Sequence, residues 1–133
     1  MIGIIDEDEC FALLRTTTVG RVGFVNRGRI EIIPVNYRLH GRELLLRTRS
    51  DGVLAGLPEE PDVAFEVDHH DDLAGAAWNV LLSGHVEAMS REQVEALPAA
   101  ERVHPWAGGE RTLWLRYVPD RVSGRRVRRP QTG

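Results

Sequence analysis

The chain contains no lysine: all 17 of its basic residues are arginine. That absence excludes Schiff-base chemistry on a lysine and a Walker-type phosphate lysine, so any phosphate must be held by arginine, hydroxyls and backbone N–H groups. Cysteine is nearly absent too. Cys10 stands alone, which rules out an internal disulfide and a thiolate cluster for zinc or iron–sulfur, and a redox role would need a bound cofactor. On a helix, Cys10 reads as a small buried apolar residue. Long apolar runs are missing: stretches such as residues 44–46 and 80–82 fall far short of the roughly 20 residues that cross a bilayer. No charged-then-apolar leader opens the sequence, and the expectation is a cytoplasmic protein with no membrane partner.

What is present fits one soluble domain. The 133 residues are 42% hydrophobic and 28% charged, enough for a single core. The expected domain covers residues 1–127, with a flexible basic tail at 128–133. Charge is unevenly spread. The first 120 residues hold twelve arginines against twenty acids, a net −8, whereas residues 121–133 hold five arginines and no acid. An acidic body is a poor nucleic-acid surface, because affinity there rests on neutralising phosphates. The arginines of the tail read as a frayed solvated end or a partner-subunit contact, ahead of an RNA-binding arm.

Hydrophobic periodicity predicts mostly strands. Residues 6–16 read as an opening helix, with Asp6 as N-cap, Glu9 three residues on, and Cys10, Phe11, Leu13 and Leu14 on one apolar face. Strands are predicted at 20–25, 30–39, 43–48, 63–67, 76–88 and 112–118, with 121–127 extending or following the last across Pro119. A short helix is predicted at 51–57, closed by Pro58, a loop at 68–72, and a second helix from Ser90, with Gln93 completing a capping box. Six short antiparallel strands with two or three helices predict a mainly β, α+β fold: a closed or split barrel, which removes exposed sheet edges.

Two segments carry the chemistry. In Ile32-Ile33-Pro34-Val35-Asn36-Tyr37, a proline sits in an apolar strand without the N–H that a central ladder requires, so a bulge or a free edge is predicted near Pro34. Backbone groups released there can bond the polar edge of a flat heterocycle, with Asn36 and Tyr37 adding polar and aromatic surface. The competing reading is an ordinary edge strand protected by Pro34. One strand later, Leu46-Arg47-Thr48-Arg49-Ser50-Asp51-Gly52 brings arginines, hydroxyls and glycine to a strand end that leads into a helix. That is a candidate anion site, or else a solvated surface turn.

These two segments, together with Phe65-Glu66-Val67-Asp68, Trp78-Asn79-Val80, Ser83-Gly84-His85-Val86-Glu87 and the late Pro105-Trp106, resemble the pyridoxamine-phosphate-oxidase-like FMN-binding split-barrel proteins. The order and spacing match over residues 8–127, and the similarity is greatest to the short bacterial branch that includes nitroimidazole-resistance-type reductases. The resemblance implies a six-stranded split barrel that holds FMN between two subunits of a homodimer. It further implies that Ile33, Pro34, Val35, Asn36 and Tyr37 lie along the flavin ring. Arg47, Thr48, Ser50, Val53 and Leu54 would surround the ribityl phosphate, with Trp78 and Asn79 near the flavin. Trp106 and Arg116 would reach it from the second subunit. The chain departs from the family at Asp51-Gly52-Val53, where members often place a lysine; this weakens the expected hold on FMN and leaves deazaflavin or haem as alternative ligands.

The histidines do not make a metal site by this reading, because adjacent His69 and His70 point to opposite sides of a strand or loop. The expected activity is a flavin-dependent oxidoreduction of a small molecule, with a nicotinamide nucleotide as reductant, although no dinucleotide fingerprint is present. Tyr37 is the nearest candidate proton donor, and packing is the commoner role for such a residue. A non-catalytic flavin, deazaflavin or haem carrier on the same barrel is the rival.

Overall fold

The structure, a computed structural model, describes residues 2–99 and 112–130. The elements in chain order are β1 (Ile2–Ile5), α1 (Glu7–Leu14), β2 (Val19–Asn26), β3 (Arg29–His40) and β4 (Glu43–Arg49), then a 3-10 helix (Val53–Glu59). There follow β5 (Val63–Asp71), β6 (Ala76–Ala88), α2 (Arg91–Glu95) and β7 (Thr112–Arg128). The strands form one antiparallel sheet in the order β1-β7-β4-β3-β2-β5-β6, and β6 also pairs with β7. That last pairing closes six strands into a ring, with β1 attached outside it.

The length of β7 makes the closure possible. Its first half pairs with β4, from Thr112 opposite Arg49 to Tyr117 opposite Leu44, and its second half pairs with β1. Along its other side β6 follows it from Leu115 to Arg128, with a register shift at Ser83/Gly84. Pro119 is tolerated at this irregularity because it lies opposite Gly84, where the two backbones nearly touch. A Cβ on Gly84 would sit 2.1 Å from the Val118 carbonyl oxygen.

The predicted strands and helices are all there, with these main differences. Residues 2–5 form a strand, β1, that no local pattern announced. The predicted loop at 68–72 is mostly strand, because β6 pairs with β5 as far as Asp71 opposite Ala76. The short helix is a 3-10 helix that contains Pro58 instead of ending at it. The basic tail is structural as far as Arg128: Val127 pairs with Ile2 and Ala77, Arg128 pairs with Ala76, and the Arg126 guanidinium donates to Glu9 at 2.6 Å.

At the centre of the barrel interior three aromatic rings meet, with aliphatic residues around them. Phe65 lies between Tyr37 and Tyr117, with ring centroids 5.4 and 5.5 Å away, and Val22, Leu46, Val67, Val80, Leu82 and Leu115 complete the layer. Both tyrosine hydroxyls are satisfied, Tyr37 donating to the Leu14 carbonyl and Tyr117 to the Val63 carbonyl, each at 2.6 Å. Gly20 leaves room for the Phe65 ring, which an added Cβ would approach to 2.4 Å. Helix α1 closes one end with Cys10, Phe11 and Leu14, its N-terminus capped by Asp6, which accepts from the Glu9 N–H at 2.8 Å. Burial and the nearby carboxylates push the Cys10 thiol up, away from the reactive thiolate.

Candidate functional site

The ladder between β3 and β4 is short. It runs from His40 opposite Glu43 to Tyr37 opposite Leu46 and stops there. One step further would bring Asn36 opposite Arg47, then Val35 opposite Thr48 and Pro34 opposite Arg49, but the two strands diverge. Each lip of this split is held from behind: Val19–Asn26 pairs with Arg29–Asn36 without irregularity, and Arg47–Arg49 pairs with Thr112–Trp114. No described strand pairs with residues 30–36 on the split side. The two segments picked out in the sequence are therefore opposite lips of one opening.

The alternation of an antiparallel ladder decides which backbone groups face the split. The Tyr37 N–H donates to the Thr18 carbonyl on the β2 side at 2.8 Å, so the odd-numbered residues of this stretch turn their polar groups to β2. Ile32, Pro34 and Asn36 turn theirs to the split. Pro34 thus removes a donor from the opening and none from the ladder, which is the free edge the sequence predicted; the register shows no bulge there. The split receives the Pro34 carbonyl and both backbone groups of Asn36.

On the opposite lip, the Arg47 guanidinium donates to the Thr112 hydroxyl at 3.3 Å and lies 5.3 Å from the centroid of Trp114. Arg49 is claimed locally. Its Nε and Nη2 donate to the two Asp51 carboxylate oxygens at 3.1 and 3.0 Å, on a turn closed by the Gly52 N–H to the Arg49 carbonyl. Ser50 and Val53 are exposed and Leu54 packs partly into the core.

The remaining expected site residues sit on several elements. Tyr37 is 1% exposed, with its hydroxyl engaged by Leu14 and Thr17, and burial pushes its pKa up. It anchors the core and lines no opening described here. Ile33 and Val35 also turn their side chains inward, packing against the main core. Trp78 and Asn79 belong to β6, separated from β3 by β2 and β5 in the strand order. Trp78 packs on the core beside His69, while Asn79 lines an outer cleft of about 280 Å³ with Glu66, Asp68, His70 and Arg125. Arg116 is held by Glu87 at 3.1 Å through Nε and by Glu43 at 3.3 Å, and His85 backs Glu87 at 2.8 Å. The arginine and histidine pull the Glu87 carboxyl below its ordinary value. Trp106 lies outside the described residues.

A charged cluster on the outer face escaped the sequence reading. Arg21 bridges Glu66 at 3.2 Å and Asp68 at 2.9 Å, and His70 stands 3.3 Å from Asp68. Burial and the Asp68 carboxylate raise the Glu66 pKa; the hydrogen bond from Glu66, followed by Arg21 and His70, lowers that of Asp68. On β5 the i, i+2 spacing of Glu66, Asp68 and His70 puts them on one face of the strand. Nothing local placed Arg21 beside them.

No described helix is long and apolar enough to cross a membrane. The outer face of the β2–β3 hairpin, by contrast, exposes three aliphatic residues: Val25 at 53%, Ile30 at 79% and Ile32 at 66%. Ile32 sits two residues from Pro34, so this apolar face borders the split.

The family model described as pyridoxamine 5'-phosphate oxidase matches residues 6–126. The uncharacterised protein Rv0080 of Mycobacterium tuberculosis is 30% identical over 129 residues, covering 92% of this chain and 84% of that protein. Among solved structures, the FAD binding protein from Mycobacterium smegmatis superposes with a TM-score of 0.81 at 28% identity, covering 95% of this chain and all of that one. A Bacteroides thetaiotaomicron protein proposed to confer 5-nitroimidazole antibiotic resistance shares the fold, with a TM-score of 0.72 at 13% identity, 95% of this chain and 87% of that one.

Proposed function

This chain belongs to the pyridoxamine 5'-phosphate oxidase family, and from that premise we propose that it binds a flavin nucleotide, FMN or FAD, in the β3–β4 split and serves as an oxidoreductase for a small molecule. One observation carries the reading. The strand edge that offers the Pro34 carbonyl and the backbone groups of Asn36 is the lip opposite Arg47, so hydrogen bonds for a flat ring and a cation for its phosphate meet at one opening. A bound flavin supplies the hydride or electron transfer that no side chain of this protein can perform. The protein's part is to hydrogen-bond the ring edge along β3, to hold the phosphate with Arg47 and to exclude water. A nicotinamide nucleotide is the natural reductant.

The same reading makes the protein a homodimer. The aliphatic face of Val25, Ile30 and Ile32 borders the split, and a second copy covering it would turn an open edge into a walled site. Arg116, already engaged by two carboxylates, would act toward the partner's flavin as a hydrogen-bond donor and not as an uncompensated charge.

Titration of the purified protein with FMN and FAD, followed by flavin fluorescence and sedimentation, tests the proposal. Saturable quenching, a dimer in solution, and reduction by NADH or NADPH with turnover on an added acceptor are expected. An Ile32→Asp chain should sediment as a monomer and bind flavin less tightly. A protein that stays monomeric and quenches neither flavin overturns the proposal.

A further inference from the structure

We propose that Glu87, steadied by His85, is a positioning residue that holds the Arg116 guanidinium in the orientation in which it meets the partner's flavin. The inference rests on the flavin reading above, in which Arg116 donates across the dimer, and names the residues that stand behind it. Leu115 and Tyr117 turn into the core, so Arg116 between them faces outward. It lies opposite Glu87 on β6 and Leu45 on β4.

Directly paired positions on adjacent strands bring side chains together, and here they build a clamp. One Glu87 oxygen accepts from Arg116 twice, from Nε at 3.1 Å and from Nη2. Nη1 donates to Glu43 at 3.3 Å. The other Glu87 oxygen is joined to His85 Nε2 at 2.8 Å, and His85, two residues earlier on β6, shares the face of Glu87. A guanidinium has five N–H donors in one rigid plane. Three of those of Arg116 are directed at two carboxylates on different strands, which fixes both the plane and its rotation. The other two are claimed by no described residue. The Arg116 side chain stays 32% exposed and that of Glu87 40%, so the fork can be reached by a second copy. An unanchored arginine would lose rotamer freedom on meeting a ligand; a clamped one has lost it beforehand.

The clamp can be read with no flavin present. In the unliganded protein the Arg116 Nε–H should give a slowly exchanging NMR resonance that Glu87→Ala abolishes. In FMN titrations, Arg116→Ala and Glu87→Ala should each weaken binding roughly ten-fold, and His85→Ala should weaken it by less. The double variant Arg116→Ala/Glu87→Ala should bind no more weakly than Arg116→Ala alone, because Glu87 acts through Arg116. The visible circular dichroism of the flavin still bound should change alike in both single variants. Arg116→Lys should not restore binding, since an ammonium lacks the fork. Glu9→Ala, which removes the carboxylate from Arg126, should leave FMN affinity unchanged. Losses that add in the double variant, or a Glu87→Ala chain that binds FMN as the unaltered protein does, overturn the assignment and leave flavin binding intact. A fast-exchanging Arg116 Nε–H in the unaltered protein overturns it independently of any flavin. Failure of the unaltered protein to bind FMN or FAD removes the flavin reading and this inference together.

Discussion

Asn36 and Arg47 stand one step beyond the last β3–β4 pair, Tyr37 with Leu46, where a continued ladder would have joined them. They are separated by eleven positions in sequence and by the mouth of a split in space. A heterocycle and its phosphate need a donor–acceptor edge and a cation set apart from each other, which a closed ladder would deny them.

Arg47→Ala should therefore act on the phosphate and not on the ring. Loss of a charge-assisted hydrogen bond predicts roughly ten- to a hundred-fold weaker binding of a flavin nucleotide, with riboflavin, which lacks the phosphate, unchanged. Parallel fluorescence titrations read the difference. An equal loss for both ligands would assign Arg47 to the ring or to the fold, through its packing over Trp114.

Tyr37→Phe separates a structural tyrosine from a catalytic one. The variant keeps the ring against Phe65 but leaves the Leu14 carbonyl and the Thr17 hydroxyl without the phenol. A cost of about 1–3 kcal/mol is expected, visible as a lower melting temperature, with unchanged rates of flavin reduction. A variant of normal stability that reduces flavin slowly would return Tyr37 to the chemistry.

Gly84→Ala tests the closure of the barrel. The new Cβ would meet the Val118 carbonyl oxygen at 2.1 Å and the Pro119 Cα at 2.9 Å, both backbone atoms that cannot rotate away. Strain of this kind costs typically 1–3 kcal/mol and occasionally more. The expected result is a markedly lower denaturant midpoint, and a chain of wild-type stability would mean that the β6–β7 irregularity is elastic.

The carboxylates beside Arg21 predict opposite pH effects. Glu66 has its pKa raised in the folded chain by burial and Asp68, so it favours folding while protonated and withdraws that support as pH rises through its folded value. Asp68, whose pKa is lowered, adds stability above its unfolded value and loses it as pH falls through the folded one. Glu66→Gln should thus raise the melting temperature at pH 7, with the gain shrinking toward pH 4, whereas Asp68→Asn should lower it at pH 7. Thermal melts across that range check both signs, and matching signs would contradict the arrangement.

The legible part of the site was the part encoded in single residues. A proline inside a strand forces either an unpaired edge, as at Pro34, or an irregularity of the ladder, as at Pro119, because it has no N–H to give. The serine–glutamine box at Ser90 specifies its helix start in the same local way, and both its hydrogen bonds are present. The place of Trp78 and Asn79 on β6, between β5 and β7, follows by contrast from a strand order that neighbouring residues do not contain. Arg49 was available in sequence as a phosphate ligand, yet its commitment to Asp51 became visible only as two bond lengths.

The residues alone determined that this chain makes an antiparallel barrel, that its helices are capped at Asp6 and Ser90, that β3 has a free edge at Pro34, and that arginine must do what lysine does elsewhere. Alternation, caps and the missing proline donor act over a few positions, so no folding is needed to read them. The tertiary structure decided which two strands part company, which face of β3 holds Tyr37 in the core, how β7 runs past Pro119 to pair with β1, and that Arg49 is committed to Asp51. Those outcomes depend on pairings between residues tens of positions apart, selected by burial of Phe65 and its neighbours, and no local signal carries that information.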